Sequence, residues 1–351
     1  MPATGRRTAA WQSLVRGAAA AALVLTTIGT GTASADGDDV CPEPNDRLQF
    51  ACNIGTDSDA LGFISSPDDA DAYRLVTHDY GARVALALPE RPYPYRLTLV
   101  GYDGEVLRRS DGGAIDAVLQ LPGTYYAVVD SVTGDADDRA PYRIALAVAY
   151  PSGVAPTVLY SESYGPGTDL IPETPSRNGK GTFGHGEGDF YARLLAPGTP
   201  EGPSGIAFGV GTDPGDPPPT VDDFTLSIDT RMLDRSDAGY FVDFREIDDQ
   251  NYLRVLVSLQ DQTAKLFRVV NGQSTALTPW TPVAAVQMNG VNRTIIRCVG
   301  SEIRASINGQ IFAQVRDETF KEGLFGFGAT TWGGPATVSF DNILVTTPTR
   351  Q

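Results

Sequence analysis

Apolar and polar side chains alternate with a period of two through the middle of the second half of the chain. Phe224, Leu226 and Ile228 interleave with Thr225, Ser227 and Asp229. Such spacing puts one row on each face of a strand and predicts a half-buried antiparallel sheet. The same pattern over 239–245 and 251–257 predicts a strand pair whose Tyr240, Val242, Phe244, Leu253, Val255 and Val257 face a core. Asp243, Arg245, Tyr252 and Arg254 are then expected together on the opposite, open surface, the best candidate for a binding face.

Short alternating runs recur at 83–88, 95–100, 125–129 and 142–148, with an Asp103-Gly104 turn before Val106 and Leu107. Asn271-Gly272 and Asn308-Gly309 follow alternating runs and predict tight hairpins, because Asn-Gly readily supplies the two positive φ angles of a type I′ turn. No convincing amphipathic helix interrupts the strands. The expected fold is all-β, two β-sandwich jelly rolls in tandem over 36–150 and 158–351, joined by a Pro/Gly-containing linker at 151–157. The Pro/Gly-rich stretches 196–204 and 211–220 are expected as surface loops, since the three consecutive prolines 217–219 cannot join a ladder.

The first 35 residues stand apart. Arg6, Arg7 and Arg16 accompany a small apolar run at 17–28, and Ala33-Ser34-Ala35 ends it, the layout of a secretory signal peptide cleaved after Ala35. That run is shorter than the ~20 residues a membrane span needs, so a secreted, extracellular protein without a span is expected. Cleavage leaves 24 basic against 43 acidic residues, a net charge of −19. So acidic a chain should repel nucleic acid and anionic membranes, while neutral sugars, cations and basic surfaces stay open as partners. Cys41 and Cys52 lie close together in an exported chain and are expected to form a disulfide. Alternation with Thr294 and Ile296 points Cys298 inward as a buried thiol.

The residues of the first half carry a resemblance. Cys-Pro-Glu-Pro-Asn-Asp at 41–46, Gly-Phe-Ile-Ser-Ser-Pro-Asp-Asp-Ala-Asp-Ala-Tyr at 62–73, Tyr-Arg-Leu-Thr-Leu-Val-Gly-Tyr-Asp-Gly at 95–104, Leu-Pro-Gly-Thr-Tyr-Tyr at 121–126 and Pro-Tyr at 141–142 resemble the bacterial pre-peptidase C-terminal domain. That resemblance implies a jelly-roll sandwich accessory to secreted enzymes. Relatives such as the collagen-binding modules of clostridial collagenases hold calcium, which by position nominates Glu43, Asn45, Asp46, Asp69 and Asp71. Oxygen ligands in irregular geometry suit calcium, although an Asn-Asp pair after proline also simply makes a turn.

The second half resembles the concanavalin A-like lectin and glucanase superfamily, in its laminin-G and 3-keto-disaccharide hydrolase form. The matching residues are 223–226, Gly239 with Phe244-Arg245, Asp249-Gln250-Asn251-Tyr252, Asn308-Gly309 and Phe340-Asp341-Asn342-Ile343. This superfold serves lectins, hydrolases and inert spacers alike, so it does not choose among them. Laminarinase-like members place alternate carboxylates on one strand, about 5.5 Å apart, for retaining hydrolysis. Here Glu246-Ile247-Asp248-Asp249 runs into Gln250 and Asn251, neither of which can protonate a leaving group, and the segment reads as a turn between strands.

Sugar binding needs an aromatic face for a pyranose ring and planar polar groups for its hydroxyls. Trp332 in a glycine-bordered loop, with Asp243, Arg245, Tyr252 and Arg254, supplies such a set; the alternative is that Trp332 packs under a loop and the arginines pair with nearby acids. Trp280, between prolines, reads as a packing residue. The expected function is non-catalytic binding of a polysaccharide or cell-surface glycan, with a glycan-active hydrolase or lyase, or a structural or protein-interaction module contacting a secreted protein, as alternatives. No organic cofactor is expected.

Overall fold

The computed structural model describes residues 41, 43–163, 173–176, 178–186, 189–195, 204–209, 220–234 and 237–349. The expected signal segment and most of the two Pro/Gly-rich stretches lie outside them. Val40–Gln351 makes one compact unit.

The chain first lays down β1 (Cys52–Asn53), β2 (Ser58–Gly62), β3 (Ala70–Thr77), β4 (Ala82–Glu90), β5 (Tyr95–Val100), β6 (Val106–Ser110), β7 (Ala114–Leu119), β8 (Gly123–Ser131) and β9 (Tyr142–Ala149). They form a five-stranded sheet, β1-β3-β8-β5-β6, and a four-stranded sheet, β2-β9-β4-β7. Tyr73, Leu75, Tyr95, Leu97, Tyr125 and Val129 of the first meet Val84, Leu86, Ile115, Ile144 and Leu146 of the second in one core. This is a β-sandwich, in which each sheet hides the apolar face that its alternation creates.

A second sandwich follows, from β10 (Val158–Glu162), β11 (Thr174–Pro175), β12 (Gly181–His185), β13 (Phe190–Leu194), β14 (Ser204–Gly209), β15 (Phe224–Met232), β16 (Ala238–Asp248) and β17 (Asn251–Ser258). It continues with β18 (Thr263–Val270), β19 (Gln273–Ala276), β20 (Thr281–Pro282), β21 (Val291–Val299), β22 (Glu302–Ile307), β23 (Gln310–Arg316), β24 (Leu324–Thr331) and β25 (Ala336–Thr346). One sheet runs β11-β12-β13-β25-β15-β21-β22-β23 with β10 also on β25; the other runs β14-β24-β16-β17-β18-β19 with β20 on β18. Phe224, Leu226, Ile228, Val338 and Phe340 of the first pack on Tyr240, Val242, Phe244, Leu253, Val255 and Phe327 of the second, the inward set that alternation predicts. Both Asn-Gly turns take the expected conformation, with φ of 51° and 76° at 271–272 and 48° and 81° at 308–309. Cys41 and Cys52 are joined, and Cys298 is a buried free thiol whose burial pushes its pKa up to about 12.

The polar face of β15 is not open as the alternation suggests. Thr225, Ser227 and Asp229 are 5%, 1% and 3% exposed, because the first sandwich lies across this sheet. Asp229 and Arg293 stand opposite each other on β15 and β21. Arg293 donates through Nε and Nη2 to the two Asp229 oxygens at 2.8 and 2.7 Å, and through Nη2 to the Thr124 carbonyl at 2.9 Å. Its guanidinium also lies 4.0 Å from the Tyr102 ring centre, and the Tyr102 hydroxyl donates to Asn308 Oδ1 at 2.9 Å. Gly123 is required at the contact: its φ is +125°, and a Cβ there would stand 2.7 Å from the Arg293 guanidinium carbon.

Arg293→Met leaves the Asp229 carboxylate buried without its counter-charge, which should cost about 3–5 kcal/mol in a urea unfolding curve. Pairing it with Asp229→Leu should recover part of that loss. An unchanged midpoint in the single variant would remove this pair as the lock between sandwiches.

Candidate functional site

Where Tyr240, Val242 and Phe244 point into the core, Phe241 and Asp243 must point to the other face of the seven-stranded sheet. Register then builds that face rung by rung. Phe241 stands opposite Leu256, and Leu256 opposite Lys265; Asp243 stands opposite Arg254, and Arg254 opposite Phe267. On the other flank β24 offers Gly328 and Gly326 opposite Phe241 and Asp243, so no side chain rises there.

Asp243 and Arg254 form a two-pronged ion pair, Nε to Oδ1 and Nη2 to Oδ2, both at 2.6 Å. The Arg254 guanidinium lies 3.8 Å from the Phe241 ring centre and 4.7 Å from that of Tyr252. Burial opposes the charge of Arg254, but Asp243 outweighs it and keeps the pKa raised. Aromatic rings and the carboxylate together hold the guanidinium flat over the sheet, with Tyr252 and Arg254 half-buried at its surface.

Two of the four residues expected on an open face are not open. Asp243 is 3% exposed, beneath Arg254. Arg245 is 1% exposed and leaves the face altogether. A bulge interrupts β16 after Phe244, and Arg245 takes a φ of 48°, so strict alternation fails from this residue on. Its side chain donates instead to the carbonyls of Phe320, Asp222 and Gly300 at 3.1, 3.0 and 2.7 Å, a structural tie among loops.

The bulge also corrects the reading of 246–250 as a turn. Glu246, Ile247 and Asp248 belong to β16, and only Asp249 and Gln250 turn the chain into β17. Glu246 is half-buried beside the ion pair. Burial first, then the like charge of Asp243, pushes its carboxyl up to about 7.

Trp332 shares the face but not the same end. A Cβ on Gly239 would stand 1.9 Å from the Val257 carbonyl oxygen and 3.1 Å from the Trp332 indole, so the strand keeps glycine where the neighbouring backbone, and then the ring, come close. Gly239 and Asp243 are four positions apart on β16, which at ~3.4 Å per residue separates the Trp332 end from the ion pair by about 14 Å along the strand. Trp280 joins Trp332 edge-to-face with ring centres 6.1 Å apart, and Lys265 Nζ sits 4.7 Å from the Trp280 ring and 5.0 Å from that of Phe267. Sequence reading missed Phe241, Lys265 and Phe267; carrying the outward parity from Asp243 into β18 was the signal for them. It also took Trp280 for packing, whereas this residue is 41% exposed.

A second cluster lies in the first sandwich. The carboxylates of Glu43, Asp69 and Asp71 offer oxygens within 4.8 Å of one another. Asn45 is fully buried beside them: its amide nitrogen donates to Cys41 Sγ at 2.8 Å, and its Oδ1, like Asp71 Oδ1, has no hydrogen-bond partner. Burial, and then the charges of Asp69 and Glu43, raises the Asp71 pKa to about 7. Three carboxylates and a bare amide oxygen are the hard donor set that a divalent cation such as calcium takes. Asp46, the fifth residue nominated, is exposed and outside this group.

No family model and no curated protein matches the chain. Among solved structures it is similar to a carbohydrate-binding module from Bacillus subtilis, at 19% identity over 51% of this chain and 94% of that one, with a TM-score of 0.33. A Bacillus subtilis protein of unknown function with a galectin-like fold gives 11% identity over 56% and 98%, TM-score 0.40. A Bacillus licheniformis β-glucanase gives 11% over 55% and 99%, TM-score 0.39. At these scores the likenesses carry no functional argument, and this chain's own residues must supply it.

The raised pKa of Glu246 has a direction in stability. Below the unfolded value of 4.5 the group is neutral in both states and costs nothing; as pH climbs through about 7 the folded state must hold a disfavoured charge. Glu246→Gln should therefore stabilise the protein at pH 8 by about 1–2 kcal/mol, the partial exposure of the site reducing the full linkage, and leave it unchanged at pH 4. Equal effects at both pH values would contradict the burial of this carboxyl.

Proposed function

We propose that the protein is exported and binds carbohydrate, on a polysaccharide or a cell surface, without catalysis. The carrying observation is the outer face of β16, β17 and β18, where the accessible side chains are aromatic rings interleaved with planar or cationic donors: Tyr252, Arg254, Phe267, Lys265, Trp280 and Trp332. Rings stack on the apolar faces of pyranoses, and fixed donors such as Arg254 meet their hydroxyls. The disulfide supports export, and no helix among the described residues is long and apolar enough to cross a membrane. In this reading the first sandwich is a spacer and a calcium-stabilised module, held by Glu43, Asn45, Asp69 and Asp71.

One observation supports a hydrolase or lyase instead: a carboxyl with a pKa of about 7, Glu246, on the same face. Its neighbour Asp243 is committed to Arg254 by two hydrogen bonds and so does not serve as the partner carboxylate. Product release from a bound glycan that stops in Glu246→Gln would establish the enzyme.

A glycan array and an insoluble-polysaccharide pull-down on the exported chain test the binding. Trp332→Ala and Trp280→Ala should each weaken binding at least tenfold while melting stays close to the parent, because each removes stacking area at the sheet's edge. Asp243 and Arg245 are unsuited to this test, since removing either disrupts buried pairs. Unaltered affinity in both tryptophan variants would move the ligand off this face.

Calcium should raise the melting temperature, by about 2.7 kcal/mol of added stability at a hundredfold excess over its dissociation constant. Chelator should reverse the rise and Asp71→Asn should abolish it. A melting point indifferent to calcium would count against a cation at this cluster.

A further inference from the structure

Lys265 is an anomaly on the proposed face. The chain has three lysines and 43 acidic residues, yet no carboxylate among the described residues lies within ion-pair range of this one. Its Nζ is held between two rings, Trp280 and Phe267, and its neighbour across the ladder is Leu256. Cation–ring contact is worth only about 0.5–1 kcal/mol at an accessible site, and partial burial lowers the lysine's pKa, so the ammonium gives up hydration with little in return. The one other cation among the rung-forming residues, Arg254, is neutralised by Asp243 through Nε and Nη2, while its Nη1 has no acceptor among the described residues.

We propose that the face takes an anionic sugar, a uronic acid residue, whose carboxylate pairs with Lys265 while its ring stacks against Trp280 and Trp332. The inference rests on the glycan-binding reading above. Lys265 and Phe267 are two residues apart on β18, about 6.8 Å, so Arg254 Nη1 lies on the adjoining rung, where the next residue of an oligosaccharide presents hydroxyls. The acidity of the whole chain does not oppose this. At physiological ionic strength charges are screened beyond about 8 Å, and what a carboxylate meets at this spot is the bare ammonium. A neutral sugar leaves Lys265 as it is; a uronate completes it.

Isothermal titration of the exported chain with trigalacturonate and with its methyl ester, in the presence of chelator, isolates the charge on a constant backbone. The acid should bind at least tenfold more tightly than the ester. Lys265→Met, which keeps the apolar stem against Trp280, should bring the two within about twofold of each other, with its melting curve as the check on folding. Equal affinities in the parent, or a preference for the acid that persists in Lys265→Met, overturns the proposal. Binding of a sulfated galactan, which is anionic through sulfate rather than carboxylate, but not of trigalacturonate, would overturn the uronate assignment. If only neutral glycans bind on the array, this inference fails and the function proposed above stands; if no glycan binds, both fail.

Discussion

One buried ion pair organises the relation between the two halves of this protein. Asp229 and Arg293 sit on adjacent strands of a sheet whose polar face would otherwise meet water, and both are buried because the first sandwich covers them. Burying two charges is costly, and their attraction repays it only with good geometry and with every remaining hydrogen bond met. Here Arg293 is satisfied by Asp229, by the Thr124 carbonyl and by the faces of Tyr102 and Tyr125, while Asn342 donates to Asp229 Oδ2 at 3.1 Å. Those partners come from both sandwiches. The pair therefore fixes how the first sandwich lies on the second, with Gly123 as the point of closest approach.

Covering one sheet leaves the outer face of the other accessible. The seven-stranded sheet carries its apolar rows inward to the shared core and its mixed row outward, and the outward row is where Arg254, Tyr252, Lys265 and the two tryptophans gather. Two local departures from regular structure shape it. A glycine at 239 lets the Val257 carbonyl and the Trp332 ring approach the strand, and the bulge after Phe244 turns Arg245 away to serve loop carbonyls while setting Glu246 beside Asp243.

The acidic cluster of the first sandwich depends on a different constraint. Cys52 pairs in parallel register with Tyr73, the disulfide ties it to Cys41, and the Asn45 carbonyl accepts from Ala72 N at 3.1 Å. These links bring Glu43 and Asn45 against Asp69 and Asp71 at the start of β3. Beneath them Asp71 accepts from the Tyr142 hydroxyl at 2.5 Å, and Tyr142 shares a 2.8 Å hydrogen bond with Tyr73, so the cluster rests on the tyrosines of the core.

Period-two alternation was enough to determine the inward row of each strand, and Asn-Gly was enough for both hairpins, because these are local properties of the backbone and of side-chain polarity. The fold class and the buried Cys298 were readable for the same reason, and the disulfide from two close cysteines in a chain expected to be exported. Alternation says which residues share a face, but not what covers the face, so it could not tell that Asp229 and Ser227 would be buried under another sandwich while Trp280 stayed open. Nor does it register a bulge, which shifts the count by one and sent Arg245 away from Asp243 and Arg254. The choice of partners, Asp229 with Arg293, Asp243 with Arg254 and Lys265 with two rings, was decided only in the tertiary structure, since pairing depends on strands brought together from distant parts of the chain.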